Sequence, residues 1–521
     1  MGCGGSGAQD AHGFASAVRG GYMPEVDTIT WQGVFNEHFY DVGEPEKERA
    51  VATTCFPIIH MGSPWLAIFL KSALDGKPRN EVPIDLSVVI DISGSMGGQM
   101  AHCDNTGGNR LEHAKRGVEW LVTEVLRPDD AIAVSSFNNQ GHLVQPLTSL
   151  KGMDQAAFLQ PVRDLRTDGG TTLSAGMKIG RELLGSDFSQ TRNRRILFLT
   201  DMGEMRPEEL GQLITQNADD GVYVSIVAMG AEFNASLTEE VTKNRGSNYF
   251  CATNNSQLRQ CLVEDFDFNM FPAAFDINVS ICSGALEVKE VYGTPFDTRQ
   301  VEDLSQNWTP RSNAFYKPLT RTAASQILRY SHSIRRSLPE GIIGNVIDFL
   351  EKPLTSITEV NTMFPGRLQG NAMKGGLILI RLDRSTASDI QCEQLVQVML
   401  TYTDSVAKEF TQVEKLIMPS GVLDFMNGAY AKALSKGLLL QDYVQACREH
   451  MILEDEDVKK AALPDLKDKS KQFKSHVNAD FSNDDKMLRV SENFDDFVKT
   501  FASSVGLPED ESTELLPEMK S

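Results

Sequence analysis

The chain has 521 residues, of which 50 are Lys or Arg and 71 are Asp or Glu, so its formal net charge is -21. Because phosphate binding needs clustered basic residues, and none are found, nucleic acid is not expected as a partner. No apolar run approaches the roughly 18 residues of a membrane span, and this length suggests about two to four domains.

The N-terminus carries a lipidation motif. Met1-Gly-Cys-Gly-Gly-Ser6 fits the pattern for N-myristoylation at Gly2, and Cys3 is a candidate for palmitoylation. One myristoyl chain gives only weak, reversible membrane binding, so stable anchoring needs the second acyl chain. The alternative is an unmodified, glycine-rich start. We expect residues 1–20 to be flexible and acylated, which would hold the protein at the cytoplasmic face of a membrane.

Residues 21–79 contain two short apolar runs, at 26–31 and 64–70, that could form strands. From 80 to 268, apolar strands alternate with amphipathic helices, a pattern typical of an α/β fold with a doubly wound, Rossmann-like sheet. Strands are predicted at 84–90, 131–137, 195–201 and 222–229, and helices at 111–126, 173–184, 239–243 and 257–263.

Three polar segments lie at strand ends or before a helix in this region. Asp91-Ile-Ser93-Gly-Ser95 follows the first strand, Asp168-Gly-Gly-Thr171 precedes the helix at 173–184, and Asp201 ends the strand that begins at 195. In an open parallel sheet, ligands bind at the carboxyl ends of the strands. The three segments therefore predict a single site for a divalent metal ion.

The ordered set resembles the von Willebrand factor A domain and its metal-ion-dependent adhesion site, in an intracellular type of protein. The resemblance implies that Ser93, Ser95 and Thr171 contact the metal directly, while Asp91 and Asp201 act mainly through water. Three neutral hydroxyls leave a divalent ion under-neutralised, and Mg²⁺ or Mn²⁺ prefers about six oxygen ligands. The open position is therefore expected to take a carboxylate of a protein ligand.

Two loops depart from the family pattern. Residues 97–110 are longer than the usual link to the first helix, and Asp201 is followed by Met-Gly-Glu where the family has glycine. The insertion either helps to select the partner or is a loop without a role. Asp104 and Glu204 lie on these loops, and either could occupy the open coordination position as an internal pseudo-ligand.

The remaining chain changes in character. Short strands predicted within 269–420 indicate a β-sandwich, into which the 80–268 domain is inserted if the run at 64–70 joins it. A helix is expected over 422–452, a polar linker over 453–485 and a short helix over 494–501, all within a 421–506 segment. Residues 507–521 are predicted to be an acidic, disordered tail. The sandwich strands are predicted at 275–281, 286–292, 327–331, 377–382 and 396–402.

Motifs for catalysis are absent from the sequence. It has no phosphate-binding loop and no nucleophile elbow, and its eight cysteines and nine histidines form no zinc pattern. The scattered cysteines are typical of reduced intracellular thiols. The best interpretation is a non-enzymatic, membrane-tethered adaptor or scaffold that binds an acidic residue through Mg²⁺. An assembly partner of a separate ATPase is the alternative, and a hydrolase or ubiquitin-type ligase is less favoured.

Overall fold

The structure is a computed structural model. The structure describes five of the predicted site residues, Asp91, Ser93, Ser95, Thr171 and Asp201. The other four, Gly2, Cys3, Asp104 and Glu204, lie outside the described residues. The strand predicted at 327–331, most of the helix predicted at 239–243 and the tail from 507 also lie outside them. The described residues are 11–44, 46–77, 79, 82–100, 107–185, 192–201, 207–230, 241, 244–282, 286–294, 355–384, 394–404, 409–418 and 430–506.

The N-terminal part differs from its prediction in two places. The start is not flexible from residue 11, because Phe14 and Val18 of the first helix are buried in a hydrophobic core. The run at 26–31 is not a strand, since Thr30 accepts a hydrogen bond from Gly33 N at 3.0 Å and caps a helix. The strand predicted at 64–70 is confirmed. The elements are α1 (Ala11–Arg19), α2 (Trp31–Glu37), β1 (Phe39–Tyr40), β2 (Ala52–His60) and β3 (Ser63–Lys71).

The central domain confirms the doubly wound α/β fold. Its sheet has the order β6-β5-β4-β7-β8-β9, with β6 antiparallel at one edge and the other strands parallel. The elements are β4 (Ile84–Asp91), α3 (Arg110–Trp120), β5 (Ala131–Phe137), β6 (Gly141–Ser149), α4 (Gln155–Arg163), α5 (Leu173–Leu183), β7 (Asn193–Thr200), α6 (Pro207–Asp219), β8 (Val222–Met229), β9 (Asn248–Ala252), α7 (Asn255–Arg259) and α8 (Phe266–Met270).

Both faces of this sheet are covered by buried clusters. Val88 and Ile90 of β4 belong to one core cluster, and Val89 between them belongs to another. This alternation follows from the two-residue repeat of a strand, and all eight residues of β4 are buried, although three of them are polar. β4 therefore lies between two cores, and its last residue, Asp91, emerges at the carboxyl end of the sheet.

A β-sandwich lies beside the central domain. Sheets of order β12-β10-β16-β17 and β11-β15-β3-β2 share a buried core cluster that includes Leu66 and Ile68 of β3 and Ile277 and Val279 of β10. Strands from both sides of the central domain therefore complete one sheet. The elements are β10 (Ala274–Cys282), β11 (Leu286–Tyr292), β12 (Thr355–Met363), β13 (Leu368–Gln369), β14 (Ala372–Lys374), β15 (Leu377–Arg384), β16 (Gln394–Asp404) and β17 (Glu409–Met418).

The C-terminal segment is helical where a linker was predicted. Its helices are α9 (Ala431–Met451), α10 (Glu456–Asp480) and α11 (Asp485–Ser504). The linker prediction is wrong because α10 buries a stripe that includes Leu463, Leu466 and Phe473 in the core with α9 and α11. The helix predicted at 494–501 is the second half of α11. The boundaries of the predicted domains stay a prediction.

The two ends of the described chain meet. Phe14 of α1 packs on Phe497 of α11 with ring centroids 5.8 Å apart, and Thr500 Oγ1 donates a hydrogen bond to Val18 O at 3.0 Å. α1 is therefore held by α11. Within the part of the chain that the structure describes, none of the helices combines the length and hydropathy that a bilayer crossing requires.

Asp75 links the turn after β3 to the segment that follows β12. Its Oδ2 accepts a hydrogen bond from Ser72 N at 2.6 Å, and its Oδ1 accepts one from Gly366 N at 2.7 Å. Burial raises the pKa of this carboxyl to about 7, against the opposing effect of these hydrogen bonds. Between pH ~4 and ~7, the folded protein therefore keeps a proton that the unfolded chain has released.

We expect this proton to make stability fall with rising pH. The contribution of Asp75 to the free energy of unfolding is complete below the carboxyl's pKa in the unfolded chain, about 4. It is lost as pH rises through the pKa in the folded protein. Asp75→Asn removes the titrating group and should flatten this part of the curve. Denaturant unfolding of both proteins across this pH range measures the difference. If the free energy of unfolding changes equally with pH in wild type and in Asp75→Asn, Asp75 is not the titrating group.

Candidate metal centre

The loop that carries Ser93 and Ser95 is held against the loop that carries Thr171. Gly94 N donates a hydrogen bond to Gly169 O at 3.1 Å, and Asp168 N donates one to Ile92 O at 2.6 Å. These bonds join the turn after β4 to the segment before α5. The structure thus places two of the predicted motifs side by side at the carboxyl end of the sheet.

Asp91 lies at the base of this region and is fully buried. Its Oδ1 accepts a hydrogen bond from Ser93 N at 2.8 Å, and its Oδ2 accepts one from Thr200 Oγ1 at 2.6 Å. Burial raises the pKa of Asp91 to about 6, while these hydrogen bonds lower it and the charge of Asp201 raises it. Asp91 therefore links the turn after β4 to the end of β7, where the third motif begins.

The predicted hydroxyl ligands occupy neighbouring positions. Ser93 Oγ lies 3.1 Å from Ser95 Oγ, with Ser93 buried and Ser95 exposed. Thr171 is half-buried on the adjoining loop, and the following residue, Thr172, donates its backbone N–H to Asn138 O at 2.9 Å. The pair of serine hydroxyls thus leads from the buried carboxylate of Asp91 toward solvent.

Asp201 follows β7 and is also buried. Its Oδ2 accepts a hydrogen bond from Arg110 Nη1 at 2.8 Å, whereas its Oδ1 is buried without a hydrogen-bond partner among the described residues. A buried, unpartnered carboxylate oxygen is costly. The position of Asp201 Oδ1 is consistent with an oxygen that faces a cation or a metal-bound water.

Arg110 is a site residue that sequence reasoning missed. It is the first residue of α3, whose N-cap Asn109 accepts a hydrogen bond from Glu112 N at 2.9 Å. The Arg110 side chain is only 13% exposed, and its Nη1 also lies 3.5 Å from Ser95 O. A cation at a helix N-terminus opposes the helix dipole. That unfavourable placement was the signal in the sequence that could have identified it.

The donor set suits a hard cation. Hydroxyl and carboxylate oxygens are the ligands that Mg²⁺ and Mn²⁺ prefer. In the described ranges, no group of three or more His, Cys, Asp or Glu residues could hold a metal ion. A metal at the end of β4 would therefore depend on the hydroxyls of Ser93, Ser95 and Thr171. The prediction that Asp104 or Glu204 acts as a pseudo-ligand stays a prediction.

The sequence match agrees with this fold and these strand ends. Residues 86–204 match the model of the von Willebrand factor type A domain. Residues 86–204 therefore have the fold of a von Willebrand factor type A domain, and domains of this class are mostly protein-interaction modules that often use a metal ion.

Two curated relatives each match about a third of this chain. The chain is 24% identical over 170 residues to the human calcium-activated chloride channel regulator 4, covering 33% of this chain and 17% of that protein. It is 26% identical over 179 residues to the uncharacterized protein sll0103 of Synechocystis, covering 34% and 39%. The chain thus spans less than half of either relative.

Among solved structures, a von Willebrand factor type A protein from Catenulispora acidiphila aligns over 81% of this chain and 84% of its own. The sequence identity is 13% and the TM-score is 0.42.

Gly230, which follows β8, leaves space for Arg110. Its φ is 135°, and a Cβ atom there would lie 3.0 Å from both Nε and Nη2 of the arginine. We expect Gly230→Ala to lower the free energy of unfolding by about 1–3 kcal/mol, because the backbone is strained and the guanidinium must move. Denaturant unfolding measures this loss.

Gly221 provides the matched control for this substitution. Its φ is 71°, and a Cβ atom would meet nothing within 4 Å. Gly221→Ala should therefore cost only the backbone strain, about 1 kcal/mol. If both variants lose the same stability, Gly230 does not serve to accommodate Arg110.

Proposed function

We propose that this chain is a non-enzymatic adaptor that binds an acidic residue of a protein ligand through Mg²⁺ at the carboxyl end of its central sheet. One observation carries the proposal: the adjoining hydroxyls of Ser93 and Ser95 lead to solvent, with the buried carboxylates of Asp91 and Asp201 behind them. In this arrangement the two serines and Thr171 would hold the ion. The bound ion would supply the positive charge that attracts the ligand's carboxylate.

Each residue has a distinct role in this proposal. Asp91 orients the turn after β4, since it accepts a hydrogen bond from Ser93 N. Asp201 supplies negative charge, and its buried Oδ1 is suited to accept a hydrogen bond from a metal-bound water. Ser95 is the most exposed of the three and defines the rim that a ligand would reach. These roles need no nucleophile and no acid–base pair, which agrees with an interaction module.

A peptide array tests the proposal. The full chain is applied to peptides with a central Asp or Glu and to matched peptides with Asn or Gln, in the presence of Mg²⁺ or a chelator. Binding should need both the carboxylate and Mg²⁺, and should be lost in the double variant Ser93→Ala/Ser95→Ala. Ser482→Ala, at an exposed serine in the turn between α10 and α11, should behave as wild type.

Other results would redirect the proposal. Binding that is equal with and without chelator would place the ligand surface elsewhere. In affinity capture from cells, an ATPase as the main metal-dependent partner would favour the assembly-partner interpretation.

Attachment to a membrane forms a separate part of the proposal. The motif at Gly2 and Cys3 supports double acylation, which would place the adaptor at the cytoplasmic face of a membrane. Replacing Gly2 with alanine should move the protein to the soluble fraction of cells. An unchanged membrane fraction would contradict this part and leave the metal site unaffected.

A further inference from the structure

The cationic side chain of Arg110 is paired with one of the two carboxylates of the proposed metal site. Its Nη1 donates to Asp201 Oδ2 at 2.8 Å, and the Asp201 side chain is only 2% exposed. Asp91, the other carboxylate, is hydrogen-bonded to Thr200 and Ser93. Before any metal binds, these three described side chains, Asp91, Asp201 and Arg110, together carry one net negative charge.

The position of Arg110 is fixed by its surroundings. Its backbone N donates to Gly98 O at 2.9 Å, which ties the start of α3 to the loop after β4. The guanidinium lies against Gly230, where any side chain would come within about 3 Å of it, and near Ser95 O. The arginine is thus built into the rim and is not a mobile surface residue.

We infer that Arg110 is a specificity-determining residue that weakens metal binding alone and makes the metal-loaded site favour an anionic ligand. The inference rests on the proposed function, because it concerns the same site. It assigns a role to a side chain that is neither a metal ligand nor part of the motif that identified the domain.

The argument is a count of charges. A divalent ion beside Asp91, Asp201 and Arg110 gives a site with one net positive charge, which a ligand carboxylate brings to zero. Without Arg110, the metal alone neutralises the two aspartates, and a carboxylate would add an uncompensated negative charge. Because charges interact strongly at the edge of a protein interior, the effect of Arg110 should be measurable both on metal binding and on the later binding of the carboxylate. Metal and acidic ligand are therefore expected to bind together more readily than either binds alone.

Titration calorimetry of the full chain with Mn²⁺ tests the first step. Arg110→Gln should bind Mn²⁺ about tenfold more tightly than wild type, since a competing positive charge is removed. Arg110→Lys keeps the charge and should stay close to wild type. Arg116→Gln is the matched control, because this arginine is on the same helix but hydrogen-bonds to the neutral Asn255 Oδ1 at 3.3 Å. It should change Mn²⁺ affinity less than about twofold.

The second step is measured with a glutamate-containing peptide at saturating Mn²⁺. Arg110→Gln should bind this peptide several-fold more weakly, although it binds the metal more tightly. A role for Arg110 in folding alone would not shift the two affinities in opposite directions. If Arg110→Gln fails to fold, Arg110→Met retains the apolar stem of the side chain and gives the same comparison.

The outcomes separate this inference from the proposed function. If wild type and Arg110→Gln bind Mn²⁺ with equal affinity, or the variant binds it more weakly, the inference is overturned while the metal site stands. If neither protein binds Mn²⁺, the proposed site fails and the inference fails with it. If Arg110→Gln binds the metal more tightly and the peptide more weakly than wild type, the result supports both the proposed function and this inference.

Discussion

Mn²⁺ binding is expected to weaken more than about a hundredfold when Ser93 and Ser95 are both replaced by alanine. Changes to residues that merely orient metal ligands already cost roughly 10–100-fold in affinity. Both serine hydroxyls are expected to be direct ligands, so their joint loss should exceed that range. Titration calorimetry of Mg²⁺ and Mn²⁺ into the full chain measures the change.

The double substitution is designed to leave the fold intact. The two hydroxyls lie 3.1 Å apart, so removing both avoids leaving one of them without its partner. We expect the free energy of unfolding in a chelator to stay within about 1 kcal/mol of wild type. Unchanged metal affinity in a folded variant would show that these hydroxyls are not ligands.

The second large effect is expected at Asp130, far from the metal centre. Asp130→Ala should lower the free energy of unfolding by about 3–5 kcal/mol, because it breaks a buried ion pair. Asp130 Oδ2 lies 2.6 Å from Arg79 Nη2, and both side chains are only 1% exposed. The carboxylate also accepts hydrogen bonds from Ile84 N at 2.9 Å and Arg127 N at 2.6 Å. Its loss leaves two N–H donors without their partner and leaves Arg79 with only its longer contact to Asp267 Oδ1, at 3.7 Å.

The neighbouring residue, Asp129, is the control for this prediction. It has the same charge but is exposed, so Asp129→Ala should change stability by less than about 0.5 kcal/mol. Denaturant unfolding of the three proteins measures the difference. Similar small losses in both variants would mean that water or nearby groups replace the Asp130 carboxylate.

The strand ends of the central domain could be predicted because local pattern and position agree there. β8 is apolar at nearly every position and β4 at five of its eight positions, and the acids Asp91 and Asp201 mark where β4 and β7 end. Arg110 was not predicted, because its pairing with Asp201 joins residues 91 positions apart. No local repeat encodes such a pairing.

Two elements that were not predicted, α10 and β6, were missed for different physical reasons. In α10, Leu463, Leu466, Phe473 and Val477 are buried on one face, but they are interspersed with Lys and Asp residues that made the segment resemble a linker. Its helical spacing was present and could have been read. β6 is an edge strand with mostly exposed or half-buried residues, so it lacks the continuous apolar run that identified its neighbours.

The pairing of β3 with β15 has a consequence for how this protein is made. Phe69 lies opposite Leu377, so β3, which can pair with β2 at once, must wait for about 300 further residues before its second partner strand exists. At about 5–20 residues per second, the ribosome needs roughly 15–60 s for that stretch. Phe14 waits longer still, until α11 is complete. The nascent chain therefore exposes apolar surface for most of its synthesis, and chaperone binding should be concentrated on the β2–β3 hairpin and α1.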